Sequence, residues 1–429
     1  VIPAEPYDLF GVGIGPFNLS LAALADGVPG LRCLFVDQRA GFAWHPGLLL
    51  DGAMLQVSFL ADLVSLVDPT SPWSFLAYLR AHDRLLPFYL KERWRPSRQE
   101  YDAYCRWVAT SLPSCRFGTT VTAVRWDPTA GAFAVGFDSG RETVLARNVV
   151  LGIGTAPRVP DAFTGLLGTE VFHAADYLDR RDGLAGAVDV TVIGSGQSGA
   201  EIFLDLLRSR RHDGWALHWL TRSPAFAPME QTPLGLEHFT PDYTRYFRRL
   251  GRDTRERLLP AQWQLYKAIS PDTIAAIYDA LYEGEVAGDL PPVTITPNVA
   301  VTAARRIGEH YELRGHETLL DRDVTVRTDR IVLATGYTPR RPGFLDALDD
   351  AICWGDGHRF DVDDDYRVPL DPSVSGGLYV QNAEHHRNGV GTPDLGLGAH
   401  RCAVILNAVT GRTVHRLPSA SAFTTFGAP

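Results

Sequence analysis

Tyr7-Asp-Leu-Phe-Gly-Val-Gly-Ile-Gly-Pro-Phe-Asn-Leu-Ser-Leu-Ala-Ala-Leu-Ala25 is an apolar run that passes through a glycine-rich turn into a helix-compatible stretch, and a second apolar run, Cys33-Leu-Phe-Val-Asp37, follows it. The same unit returns as Asp189-Val-Thr-Val-Ile-Gly-Ser-Gly-Gln-Ser-Gly-Ala-Glu-Ile-Phe-Leu-Asp-Leu-Leu207, followed by Ala216-Leu-His-Trp-Leu-Thr-Arg222. Strand, glycine turn, helix and second strand make a nucleotide-binding βαβ unit. Two such units predict an α/β protein with two Rossmann-like dinucleotide-binding domains.

The intervening sequence sets the expected organisation. Asn148-Val-Val-Leu-Gly-Ile-Gly-Thr-Ala-Pro157 and Arg330-Ile-Val-Leu-Ala-Thr-Gly-Tyr337 each read as a buried strand ending in a tight turn, and residues 121–126 and 133–137 read as a hairpin. Residues 72–111 and 241–287 carry helical patterns, the second with Tyr243, Tyr246, Phe247, Trp263, Tyr266, Tyr278 and Tyr282. The expected division is a discontinuous first domain over 1–187 and 328–415, a second over 188–327 with a helical insertion at 241–287, and a loose Ser/Ala/Thr-rich tail over 416–429.

Composition excludes several classes. The 429 residues carry a net charge of -9, whereas a nucleic-acid partner calls for concentrated positive charge. The longest uncharged stretch, Leu9 to Ala25, is broken by glycines, Pro16 and Asn18 and is preceded by Glu5 and Asp8, so it reads as neither a signal peptide nor a membrane span. Five scattered cysteines without a C-x-x-C pair indicate neither a disulfide framework nor a zinc site, and a cytoplasmic setting is expected. The sequence starts at Val1 without an initiator methionine, which leaves room for residues ahead of it. Of 41 basic residues only Lys91 and Lys267 are lysines.

In the first unit Gly11 permits the tight turn, and Gly13 and Gly15 let the backbone approach a pyrophosphate seated on the following helix. Pro16 replaces the third glycine of the fingerprint, which a first helical turn tolerates because the missing N–H would be unpaired there. Asp37 ends the second strand, where a carboxylate can bind ribose hydroxyls. The second unit has the full pattern Gly194-Ser195-Gly196-Gln197-Ser198-Gly199, and Arg222 stands where an NAD site would carry an acid, which favours the 2'-phosphate of NADP. Two dinucleotide sites imply electron transfer between a flavin and a nicotinamide. By position the first is the FAD site and the second the NADPH site.

Gly13-Ile-Gly-Pro-Phe-Asn-Leu-Ser-Leu21, Phe42-Ala-Trp-His-Pro-Gly47, Leu55-Gln-Val-Ser-Phe-Leu-Ala-Asp-Leu63, Asp68-Pro-Thr-Ser-Pro-Trp-Ser-Phe-Leu-Ala-Tyr-Leu79, Ala334-Thr-Gly-Tyr337 and Asp394-Leu-Gly-Leu-Gly-Ala-His-Arg401 stand in one order along the chain. Together these blocks resemble the flavin-dependent N-hydroxylating monooxygenases of hydroxamate siderophore biosynthesis, which act on lysine, ornithine or diamines. The Baeyer-Villiger spacing F-x-G-x-x-x-H is not met between Phe163 and His173. The resemblance implies that NADPH reduces FAD, that oxygen is activated as a hydroperoxyflavin, and that a primary amine is hydroxylated as its free base, against an ammonium pKa of about 10. It implies that Trp44, His45, Gln56 and the segment Asp394, Leu395, Gly396 to Arg401 line the flavin, and that the chain is a homo-oligomer, dimer or tetramer.

One position departs from the pattern. The amino-acid hydroxylases of the family carry a lysine where this chain has Ala61, and that lysine binds the substrate's α-carboxylate. A methyl group cannot replace an ammonium there, so the expected substrate lacks the carboxylate and is a diamine such as cadaverine or putrescine. Glu384 and Asp394 are the acids nearest the flavin block in sequence and the candidates to hold its far ammonium. A lysine N-hydroxylase and an NADPH oxidase without productive hydroxylation are the rival readings.

Overall fold

The computed structural model describes residues 5–140, 142–209 and 215–427. Two five-stranded parallel sheets organise the chain. The first has the order Gly377–Val380, Asn148–Leu151, Leu9–Val12, Cys33–Val36, Cys115–Arg116. The second has the order Val293–Thr296, Ala216–Leu220, Asp189–Ile193, Arg330–Leu333, Val171–His173. In both, the strand that enters the glycine turn lies at the centre, covered on its faces and therefore almost wholly apolar, as parallel strands are.

Each unit also carries a three-stranded antiparallel sheet just ahead of one strand of its parallel sheet. Val121–Asp127, Ala132–Phe137 and Glu142–Ala146 precede Asn148–Leu151, and Val299–Ile307, His310–Glu317 and Arg322–Thr328 precede Arg330–Leu333. The expected hairpin at 121–137 thus gains a third strand.

The crossings between the units are the short strands Thr155–Pro157 and Tyr337–Pro339, which pair antiparallel. This moves the expected domain boundaries. Val171–His173 hydrogen-bonds to Arg330–Leu333 inside the second sheet, so 187/188 and 327/328 each cut through that unit, and strand pairing rather than the recurrence of the glycine motif marks where the chain changes sheets.

Helices Pro241–Arg249, Arg252–Ala261, Trp263–Tyr266 and Pro271–Ala287 occupy residues 241–287, and the last of them packs on Gln197–Ser209. Helices Phe75–Ala81 and Arg98–Ser111 fill the helical stretch at 72–111 and start on Ser74 and Ser97, whose hydroxyls accept from backbone N–H groups one turn on.

The tail is a correction. Described residues beyond 416 do not hang loose: Asp242 accepts from the Ser421 amide and hydroxyl, Glu237 accepts from the Phe423 and Thr424 amides at 2.8 Å, and Phe426 packs on Tyr243 with ring centroids 5.0 Å apart. Carboxylates of Asp242 on the helical insertion and of Glu237 just before it cap its backbone, which a composition rich in small residues does not reveal.

Candidate functional site

The first glycine turn is built as a phosphate cradle. Gly13 has φ +87°, and a side chain there would stand 2.5 Å from the Gly152 carbonyl of the neighbouring strand, so only glycine lets the chain turn this close. Gly15 caps helix Pro16–Asp26 without any side-chain bond, and Pro16 has no N–H to offer, so no side chain caps this helix start. Gly11 lies flat against the Phe35 ring. These features fit a dinucleotide pyrophosphate.

Asn18 braces the turn from within. Its amide donates to the Val12, Gly13 and Val150 carbonyls at 3.1, 2.8 and 3.4 Å and accepts from Gln381 at 2.8 Å, joining three strands of the first sheet. Sequence reading quotes Asn18 but assigns it no role, because its partners come from strands far along the chain.

Asp37 is more committed than expected. Its carboxylate accepts from the Ile14 amide at 2.8 Å and from the Arg39 amide and guanidinium at 2.8–3.0 Å. Burial raises its pKa, but the Arg39 and Ile14 bonds outweigh this and hold the carboxyl below its usual range. A ribose would share these oxygens with Arg39.

The Trp44-His45-Pro46 turn folds over the crossing between the units. His45 is left-handed, with φ 47°, and its ring lies edge-on to Tyr337, which also meets His173. Burial, then the charges of Arg98 and Arg39, push His45 down to about 4, so it is neutral. Trp44 donates its amide to Asp102 at 2.7 Å and packs edge-on to Tyr101. His173 accepts from the Ala175 amide on Nδ1, leaving Nε2 to donate to the Gly336 carbonyl at 3.0 Å. That is a fastening role for His173, on the crossing strand.

In the second turn Gly194 has φ +125°, and a side chain would meet the Ala334 carbonyl at 2.2 Å. Gly196 runs beside the Lys267 carbonyl, and Gly199 packs on the Gly194 carbonyl. Ser195 is buried and accepts from Thr221, so its hydroxyl faces the protein, while Ser198 is half-buried in the first helical turn. Gln197 reaches across to Gln56, which donates to it at 3.2 Å, so a flavin-block residue and a glycine-turn residue of the other unit touch. Arg222 is exposed and has no ion pair among the described residues. Burial, followed by the charges of Arg158 and Arg222, lowers the Lys267 pKa, so three cations gather beside this turn. They fit a phosphorylated dinucleotide.

Ala61 and Asp394 both face Gly396. A Cβ placed on Gly396 would lie 3.8 Å from Ala61 Cβ and 2.8 Å from Asp394 Oδ1, so the buried methyl and the carboxylate border the same small space. Asp394 accepts from the Gly396 amide, and burial, against that bond, the Leu397 amide and the Arg401 charge, pushes its carboxyl up to about 6. Leu395 packs on the core of the first unit.

Glu384 is a correction. It is 0% exposed, accepts from Arg401 at 2.7 Å and from the Ala383 amide at 2.7 Å, and Arg401 is itself 1% exposed. A carboxylate neutralised by a buried guanidinium is not free for a substrate ammonium. Arg401 also donates to the Thr392 carbonyl and lies over the Phe17 ring. Nothing in the sequence around either residue announces the pair, 17 positions apart.

A profile of the L-lysine 6-monooxygenase/L-ornithine 5-monooxygenase family matches residues 5–339. The chain is 42% identical to the rhizobactin siderophore biosynthesis protein of Rhizobium meliloti, over 99% of this chain and 95% of that protein. It is 40% identical to a putrescine N-hydroxylase of Shewanella oneidensis, over 98% of this chain and 84% of the relative. It superposes with a TM-score of 0.95 on the FAD-bound cadaverine monooxygenase of the desferrioxamine pathway from Erwinia amylovora, at 39% identity with 99% of each chain covered. With the profile running through both glycine turns and these relatives aligned nearly end to end, the protein belongs to the L-lysine 6-monooxygenase/L-ornithine 5-monooxygenase family.

Proposed function

We propose that the chain hydroxylates one primary amine of a short aliphatic diamine, cadaverine or putrescine, with NADPH and O2 and with FAD as its resident cofactor, in hydroxamate siderophore biosynthesis. Bound FAD, reduced by NADPH, supplies the two-electron activation of oxygen that no side chain can supply. The residues proposed to hold it are Gly11, Gly13, Gly15, Pro16, Asp37, Trp44, His45, Gln56 and Asp394 to Gly396. Those proposed for NADPH are Gly194 to Gly199 and Arg222, with the Arg158 and Lys267 charges alongside.

The observation that carries the substrate reading is that Ala61 and Asp394 lie around the same glycine, Gly396. Where the amino-acid hydroxylases of the family offer a cation to a carboxylate, this chain offers a methyl group beside an acid, the reversed polarity that an ammonium needs. Asp394 orients the far ammonium, and the apolar surroundings favour the neutral form of the amine that reacts.

NADPH-dependent hydroxylamine formation from cadaverine, putrescine, lysine and ornithine, with peroxide followed in parallel, tests the reading. Hydroxylamine from the diamines is the expected outcome. Lysine turned over in preference to cadaverine would overturn the Ala61 argument, and peroxide alone would make the chain an oxidase. One methylene in an apolar pocket is worth only about 1–3 kcal/mol, so the two diamines are expected to differ modestly.

The free cysteines, Cys353 among them on the surface, suit a reducing cytoplasm. No described helix is long and apolar enough to cross a membrane. A homo-oligomer is the assembly proposed, supported by the apolar face around Leu85–Leu90.

A further inference from the structure

The two glycine turns belong to different sheets, so electron transfer between their cofactors depends on what holds one unit in register with the other. A closed ring of hydrogen bonds does this. Gln56 donates to Gln197 Oε1 at 3.2 Å, Gln197 Nε2 donates to Glu201 Oε1 at 2.8 Å, and Arg98 Nη1 donates to Glu201 Oε2 at 2.8 Å. Arg98 closes the ring through its own amide, which donates to the Ala53 carbonyl at 2.9 Å, three residues before Gln56. Ser270 and Thr273 hold Gln197 from the far side, at 2.7 and 2.9 Å.

The ring joins specific parts. Gln197 and Glu201 lie one turn apart on the helix that starts at the second glycine turn, Arg98 starts a helix of the first unit, and Ala53 packs into the second unit's core beside them. The Arg98 and Glu201 side chains are 13% and 7% exposed. A pair this buried loses hydration that its attraction barely recovers, so apolar residues would stabilise the contact equally well. What apolar residues lack is direction: each bond in the ring has one length and one angle, and the ring admits one register. The same Arg98 charge acts on His45 and on Tyr337 of the crossing strand.

We infer that Arg98 and Glu201 are positioning residues for flavin reduction: through Gln197 and Gln56 they hold the helix of the second dinucleotide site at a fixed tilt against the flavin-side block. This rests on the reading that NADPH reduces FAD. A displacement of about 1 Å at a reacting centre can lower a rate by up to about 100-fold, so a tilt of this helix acts on reduction without removing any group that touches a cofactor.

The test compares Glu201→Ala, Arg98→Ala and the double variant, each loaded with FAD. In anaerobic stopped-flow at saturating NADPH, each single variant is expected to reduce its flavin about 10-fold more slowly or worse, with the NADPH dissociation constant changed far less. The double variant is expected to be no slower than the worse single, because both belong to one ring. Hydrogen–deuterium exchange supplies a readout independent of turnover: amides of residues 53–57 and 197–201 are expected to lose protection together in either single variant. A limiting reduction rate equal to wild type, or exchange that rises on one side of the ring only, would overturn the inference. A purely structural role would lower melting temperature and FAD content while the loaded fraction reduced normally. Should the alanine variants fail to fold, Glu201→Gln and Arg98→Lys carry the same comparison. Wild-type enzyme that NADPH does not reduce would refute the cofactor reading instead, and the exchange experiment would still decide whether the ring is a single unit.

Discussion

Asp394 concentrates the substrate argument in one carboxyl. Burial holds its pKa at about 6, so above that pH it is ionised and attracts an ammonium, and below it the attraction is lost. The KM for cadaverine is therefore expected to rise as pH falls through about 6, while pentylamine, which has no far ammonium, shows no such rise beyond that due to protonation of its reacting amine. Steady-state kinetics with both amines across pH 5–8 checks this. Asp394→Asn is expected to raise the diamine KM about 10-fold or more, the equivalent of about 1.4 kcal/mol, and to flatten the difference between the two amines. Glu384 is expected to behave otherwise. Glu384→Gln leaves the Arg401 guanidinium buried without its counter-charge, and breaking a buried pair on one side costs about 3–5 kcal/mol. Denaturant unfolding measures that loss, and a variant as stable as wild type would show that Arg401 finds another partner. Of the two acids nearest the flavin block in sequence, only tertiary packing separates the one bordering Ala61 from the one locked to Arg401.

At the scale of elements, the glycine turns are local. A strand, a turn with positive φ at Gly13 or Gly194 and an uncapped helix start are encoded within a dozen residues, so both were legible from sequence. The tail was not. Its acceptors, Asp242 and Glu237, stand on and just before the helical insertion, 179 to 187 positions earlier, and a stretch of Ser, Ala and Thr carries no sign of them. Phe426, against Tyr243, Tyr246 and His238, is the tail's apolar anchor. Phe426→Ala is expected to cost about 1–3 kcal/mol and to make the tail sensitive to limited proteolysis, read by mass spectrometry of the fragments. An unchanged cleavage pattern would mean that the carboxylate caps suffice.

For the whole molecule, the helix Leu85–Leu90 stands out because it is apolar yet buries none of its residues. Leu86, Tyr89, Leu90 and the nearby Trp94 are 64–71% exposed, a contiguous apolar face of the kind that marks an interaction site. A second copy of the chain is the expected cover. Sedimentation of the wild type is expected to give a dimer or larger, and Leu86→Asp with Leu90→Asp to lower that mass; a mass unchanged by the pair would place the interface elsewhere. The domain boundaries belong to this scale too. Which sheet Val171–His173 and Arg330–Leu333 join was not legible in sequence, because a short apolar run does not state its pairing partner.

The sequence by itself determined the α/β class, both glycine turns and the absence of a charged side chain at position 61, because each is written in contiguous residues whose backbone geometry or charge is local. Tertiary structure alone decided which acid borders Ala61, which is neutralised by Arg401, how Gln56 meets Gln197, and where the tail docks. These depend on side chains brought together from distant segments, and a buried charge or amide takes its role from the partner that satisfies it.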